Sequence, residues 1–152
     1  MQIDFRQILP DDFEFLWRLH NAALKIYVEK TWGWNEDWQR ANFKNTFNPS
    51  NGEIIVACGA DAGFLRIIEK ETETLLASIR LSPEFQNKGI GTQIIKNLLA
   101  ESEKPVKLQV LKVNPARALY ERLGFEVVGE TDTHFLMKTQ GLKSKVSSRN
   151  AE

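Results

Sequence analysis

Two short runs in this 152-residue chain combine residue types and spacing that could do chemistry. The first is Gln86-Asn87-Lys88-Gly89-Ile90-Gly91-Thr92. Glycines at 89 and 91 remove side chains where backbone must approach a ligand, and they permit positive φ. A strand-like run leads in and an amphipathic helical pattern leads out. The N–H groups of the turn and the positive end of the helix dipole would then form an anion site. An exposed helix terminus contributes only about 0.3–1 kcal/mol per charge, so several aligned donors are needed to hold a pyrophosphate. A turn that merely reverses the chain is the alternative that a lone G-x-G leaves open. The run is not a dinucleotide fingerprint, which needs a third glycine and a later acidic residue, and it lacks the Gly-Lys-Ser/Thr of a P-loop.

The second run is Asn114-Pro-Ala-Arg-Ala-Leu-Tyr120-Glu-Arg-Leu-Gly124-Phe125. Asn114 as cap, Pro115 at the first helical position and Gly124 past the end predict a helix from Asn114 to Leu123. Taken alone, Asn114 reads as a helix cap and Tyr120 as a half-buried packing aromatic.

The elements that must position these runs follow from periodicity. Ile3 and Phe5 alternate with polar neighbours and predict a strand ending before Pro10. Asp11 or Asp12 can cap a helix whose face carries Phe13, Leu16, Trp17, His20, Ala23, Leu24 and Tyr27. Thr31–Asn35 breaks that helix, and Asn35 can cap a second one running toward Phe47. Strands are expected at Glu53–Cys58, Gly63–Ile68 and Leu75–Leu81, with GADA as a tight connection. Ile90, Ile94, Ile95, Leu98 and Leu99 mark one face of the helix after the glycine turn. Val106, Leu108 and Val110 mark a further strand, and Phe125–Val128 with His134–Met137 a final pair. The expected fold is α/β (α+β), a central mixed, mostly antiparallel sheet of six to seven strands flanked by helices. Residues 1–139 form a single domain in this reading, and 140–152 a flexible polar tail.

Composition bounds the partners. Twenty basic residues balance twenty acidic ones, so no net positive field draws nucleic acid or anionic membrane. No run approaches the roughly 18 apolar residues of a membrane span, and the N-terminus lacks the apolar core of a signal peptide. The single cysteine, Cys58, excludes an intramolecular disulfide and a Cys-based zinc cluster. A reduced, cytoplasmic setting is the simplest reading, with Cys58 a small buried hydrophobe. With one Cys and two His, no metal site is expected.

Together the two runs say more than either does alone. LSPEFQNKGIG followed some 23 residues later by NPARALYERLGF resembles the GNAT superfamily of acetyl-CoA-dependent N-acetyltransferases, over roughly Leu75–Met137. The resemblance implies that Gln86, Asn87, Lys88, Gly89, Ile90, Gly91 and Thr92 bind the CoA pyrophosphate. It implies that the strand residues Ile79, Arg80 and Leu81 run beside the pantetheine arm. It also implies that Asn114 and Ala118 contact the cofactor and that Tyr120 sits beside the sulfur. The acceptor would be an amine-bearing small molecule or peptide, and many GNAT enzymes are homodimers. The N-terminal half, with Trp32, Trp34 and Trp38, resembles the variable acceptor side; packing roles for these tryptophans are the alternative.

Acetyl transfer to an amine needs a neutral amine, a polarised carbonyl and a proton for the leaving thiolate. Direct attack in a ternary complex is the family's usual route. Tyr120 suits the third task, because a phenol near pKa 10 can protonate a thiolate whose acid lies near 8.5. A bulge near Arg80–Leu81 would offer a backbone N–H to the thioester oxygen, as the family implies. LLASIRL carries no carboxylate to act as base. Glu73 at the strand edge is the substitute, with a solvated turn charge as its alternative; Glu69 and Glu71 share that ambiguity. Water relays or an already neutral amine would remove the need. His20 reads as a packing residue and His134 as an ordinary strand histidine. The competing function is a non-catalytic CoA-binding sensor or regulatory module.

Overall fold

The computed structural model describes residues 1–140, and the expected tail lies outside them from residue 141 on. The elements are β1 (Ile3–Gln7), α1 (Phe13–Trp32), α2 (Glu36–Thr46), β2 (Glu53–Ala57), β3 (Ala60–Glu69), β4 (Thr74–Leu81), α3 (Ile90–Glu101), β5 (Val106–Leu111), α4 (Ala116–Arg122), β6 (Glu126–Glu130) and β7 (His134–Lys138). The strands form a seven-stranded sheet in the order β1-β2-β3-β4-β5-β7-β6. β4 and β5 run parallel, whereas β1/β2, β2/β3, β5/β7 and β6/β7 are antiparallel. The mixed sheet flanked by helices is the fold that the periodicities predict. Among the described residues, no helix is long and apolar enough to cross a membrane.

The described residues group into two units, and strands β3 and β4 each pass through both. The first comprises Met1–Arg66 and Ser78–Ile90. Its core packs Ile8, Leu16, Leu19 and Ile54, with Phe15, Phe43, Phe47, Val56 and Phe64 around them. Ile54 and Ile55 are both fully buried, as expected of a strand covered on its two faces. Each such side chain stabilises the fold by roughly 1.5–3 kcal/mol. Asn35 caps α2 as its sequence implies, its Oδ1 accepting from the Trp38 N–H at 2.9 Å.

Three expectations change in this unit. Asp12 precedes α1 but does not cap it through its side chain; Arg6 takes both carboxylate oxygens, and the Leu9 N–H donates to one of them. β3 begins at Ala60 rather than Gly63, so the connection shrinks to Cys58-Gly59. Cys58 therefore sits in the turn at φ 50°, exposed rather than buried.

The second unit comprises Ile67–Ala77 and the chain from Gly91 onward. Ile94 and Ile95 of α3, Leu76 of β4, Val106, Leu108, Val110 and Leu111 of β5, Phe125 and Met137 are among its buried apolar residues. The parallel ladder joins the starts of two strands, Thr74 to Val106 and Leu75 to Lys107. The Thr74 N–H donates to the Pro105 carbonyl, and the Val106 N–H to Thr139 Oγ1, which fixes where that ladder begins. α4 is shorter than its flanking signals suggest. Asn114 Oδ1 accepts from the Ala116 N–H at 2.9 Å, so helical geometry starts two residues past Asn114. Gly124 at φ 101° ends it, a conformation that suits glycine.

Candidate functional site

The glycine turn is built by its neighbours. β4 ends at Leu81, and Ser82 donates its N–H to the Ala62 carbonyl at 2.8 Å, tying the loop to β3. A 3-10 turn at Pro83–Phe85 follows, closed by Phe85 N–H to Ser82 and Gln86 N–H to Pro83. The Gln86 amide then reaches back, Nε2 donating to the Leu81 carbonyl at 3.0 Å. Its side chain braces the loop on the strand it left. Asn87 and Gly89 both take left-handed conformations, at φ 60° and 82°. Asparagine tolerates that region and glycine prefers it.

α3 starts immediately, at Ile90, which is buried and pins the helix down. The N–H groups of Ile90, Gly91 and Thr92 belong to the first helical turn, where no intrahelical acceptor exists. Gly91 lies inside the helix, so its use is the missing side chain rather than positive φ. A β-carbon added to Gly89 would meet nothing within 4 Å. The turn therefore presents backbone donors and a helix N-terminus to open space, as an anion cradle requires. Lys88 stands with its ammonium 5.9 Å from the Phe85 ring centre.

In the second unit, Asn114 accepts from Ala116 and also donates its own N–H to the Leu111 carbonyl. The N-cap position of α4 falls on Pro115 rather than Asn114, whose side-chain oxygen instead satisfies the Ala116 N–H at the start of the helix. Ala118 is exposed on α4. Tyr120 packs edge-on against Phe125, ring centres 5.9 Å apart. Burial pushes its phenol above the usual tyrosine range, so it holds its proton at neutral pH.

Glu73 precedes β4 and is half-buried. Its carbonyl accepts from the Lys70 N–H, its carboxylate lies 3.8 Å from Lys138 Nζ, and its side chain is 22% exposed. It lines a cavity of about 370 Å³ with Lys70, Leu75, Ala77 and Lys107 among its walls. Glu69 is engaged by Lys104 at 2.9 Å and by the Thr74 hydroxyl, and that hydrogen-bonded lysine holds its carboxyl below the usual range. A carboxylate so held is a poor proton acceptor near neutral pH. His134 is half-buried, its Nδ1 2.8 Å from Thr133 Oγ1.

One pairing carries no mark in the sequence. Arg80 is expected to matter through its place on the strand, yet its guanidinium turns toward α1 and lies 3.2 Å from His20 Nδ1. His20 does pack, stacking on Trp17 at 5.9 Å with Phe43 and Trp34 nearby. Burial drives its pKa down to about 4. Sixty positions separate the two residues, so no local signal could join them. Trp32 and Trp38 are about 60% exposed, which removes the core-packing role for both. Trp34 packs beside His20 and donates its ring N–H to Glu36.

A family model described as the acetyltransferase (GNAT) domain matches residues 50–127, which run from the turn before β2 into β6 and include both motifs. The chain belongs to the GNAT acetyltransferase family. Solved structures of that fold agree with the sheet and helices. The PaiA N-acetyltransferase of Thermoplasma acidophilum, in complex with coenzyme A, superposes with a TM-score of 0.68 at 17% identity, over 92% of this chain and 99% of that one. The ribosomal-protein-S18-alanine N-acetyltransferase of Escherichia coli gives 0.62 at 19% identity, over 91% and 93%.

Two relatives share higher sequence identity over a smaller part of this chain. A 5-NmdU N-acetyltransferase of Pseudomonas phage PaMx11 is 39% identical over 77 residues, 48% of this chain and 55% of the relative. An uncharacterized N-acetyltransferase of Methanocaldococcus jannaschii is 28% identical over 134 residues, 80% of this chain and 59% of the relative. The chain thus spans little more than half the length of either.

Proposed function

We propose that this GNAT chain is an N-acetyltransferase that moves an acetyl group from acetyl-CoA to a primary amine on a small molecule or peptide. Direct attack by the neutral amine in a ternary complex is the route. The observation that carries the proposal is Gly89 at φ 82° with open space beside it, directly ahead of the α3 N-terminus. That backbone fits a pyrophosphate better than it fits a plain reversal, because the chain spends two left-handed residues to aim its donors outward.

The roles follow residue by residue. The backbone of Gln86–Thr92 receives the pyrophosphate, with Lys88 adding charge. Ile79, Arg80 and Leu81 run beside the pantetheine arm through their backbone, and an N–H near Arg80–Leu81 polarises the thioester carbonyl. Asn114 and Ala118 contact the donor from α4. Tyr120 gives its proton to the leaving thiolate, a task suited to a phenol that burial keeps protonated. Glu73, directly or through water, is the base where the amine arrives charged. The α1–α2 half carries the acceptor side, and the protein works in the cytoplasm, as a homodimer where the family's habit holds.

Calorimetric titration with acetyl-CoA tests the donor half of this proposal, and amine-dependent release of free thiol tests the transfer. The amine panel should include 5-NmdU, named for the phage relative. β4 carries no carboxylate in TLLASIRL, which favours a second reading, a CoA-binding module without catalysis. Binding of acetyl-CoA with no thiol release across the panel would support that second reading.

A further inference from the structure

The side chain and the backbone of Arg80 face different tasks. Its guanidinium is half-buried on the side of α1, within 3.2 Å of His20 Nδ1 and with its carbon 5.9 Å from the Phe64 ring centre. Arginine has only donors, so its Nη1–H donates to Nδ1 and the imidazole carries its own proton on Nε2. Burial first, and Arg80 second, keep His20 neutral, and a neutral imidazole has no negative charge to balance the guanidinium beside it.

No carboxylate among the described residues pairs with Arg80. The acidic groups of this unit that form ion pairs are committed elsewhere: Asp12 and Asp61 to Arg6, Glu14 to Arg40, and Glu36 to Lys25. Phe64, Phe43, Trp17 and Trp34 supply rings around the Arg80–His20 pair. A guanidinium shielded by rings and left without an anion is costly to the fold. Its other N–H groups are nonetheless not sealed in, since Asn21 Oδ1 is the buried side-chain polar atom without a partner among the described residues. One charge with unused donors, in apolar surroundings, is a receptor for an anion that binds in a bidentate fork.

We propose that the Arg80 guanidinium, oriented by His20, anchors an anionic group of the acceptor, a carboxylate or a phosphate carried on the same molecule as the amine. The proposal rests on the reading of α1–α2 as the acceptor side. It narrows the acceptor from amines in general to amino acids, phosphorylated amines and their like. His20 is a positioning residue in this arrangement, and Arg80 the residue that touches substrate.

Binding is tested without turnover by titrating the intact protein with inorganic phosphate, and separately with acetate, while following the His20 imidazole by NMR. A saturable shift with one or both anions is expected, lost in R80Q and kept in part by R80K; which anion shifts it tells phosphate from carboxylate. No saturable shift with either anion in the unaltered protein overturns the proposal, whatever the acetylation assays give. Specificity is tested by thiol release with matched acceptors, phosphoethanolamine against ethanolamine and β-alanine against propylamine. In one pair or both, the anionic member should lead by about tenfold or more in kcat/KM, and R80Q should remove that lead. Equal rates within both pairs, or an equal loss on both members in R80Q, would also overturn it. Turnover absent with every amine counts against the enzymatic reading, while the anion titration still decides this one.

Discussion

Gly63 on β3 lies against the backbone of Arg80 on β4, so close that a β-carbon there would collide with the Arg80 carbonyl oxygen and touch Leu81 Cδ2 at 3.0 Å. The absent side chain lets two strands approach at the point where β4 carries its functional residues. Backbone cannot yield as the end of a flexible side chain can. Gly63→Ala is therefore expected to destabilise the protein by about 1–3 kcal/mol, the range for overpacking. Denaturant unfolding measures this as a lower midpoint, and an unchanged midpoint would mean the strands can separate freely.

Gly89 presents the opposite case. An added β-carbon has room but the backbone is at φ 82°, which costs an L-residue about 1–2 kcal/mol. Gly89→Val should lower the melting temperature modestly and weaken acetyl-CoA binding much more, because its side chain fills the space a pyrophosphate would occupy. Calorimetry beside a thermal melt separates the two effects. Equal acetyl-CoA affinity in variant and parent would remove the cradle from the proposal.

Tyr120→Phe keeps the ring against Phe125 and deletes the hydroxyl. Loss of a general acid lowers turnover by about 10²–10⁴-fold, with little change in the KM for acetyl-CoA. Burial raises the Tyr120 pKa, so the parent's activity should persist past the pH at which an ordinary tyrosine ionises. Unaltered turnover in the phenylalanine variant would assign proton delivery to another group.

The His20 imidazole makes stability depend on pH. Its folded pKa is about 4 against the ordinary histidine value of 6.5, with burial the main cause and Arg80 the second. The unfolded chain takes up a proton near 6.5 that the folded protein refuses until about 4. Stability from this group is therefore complete above 6.5 and falls as pH drops through that interval. Thermal melts between about pH 4 and 7 should show a steeper acid loss in the parent than in His20→Gln. Parallel curves would contradict the burial of a neutral imidazole.

Much of this arrangement was legible in the sequence, for definable reasons. The sheet and helices followed from two- and three-to-four-residue periodicities, and Asn35 announced its capping bond. The two motifs were readable because their chemistry lies in consecutive residues. Long-range pairings carried no local mark. Asp12 has the look of a cap, but Arg6 claims its carboxylate. Cys58 has the look of a buried residue because strand alternation cannot show where a turn of two residues begins. The Arg80–His20 contact joins a strand to a helix that only the fold brings near. Trp32 and Trp38 mislead in the reverse sense, since large apolar side chains are usually covered and these are not.

The most direct test of the proposed activity is amine-dependent release of free thiol from acetyl-CoA by the intact protein. Release that rises saturably with an amine from the panel, and collapses in Gly89→Val, is the expected result. Failure of acetyl-CoA to bind even at millimolar concentration, with no thiol released for any amine, would contradict it.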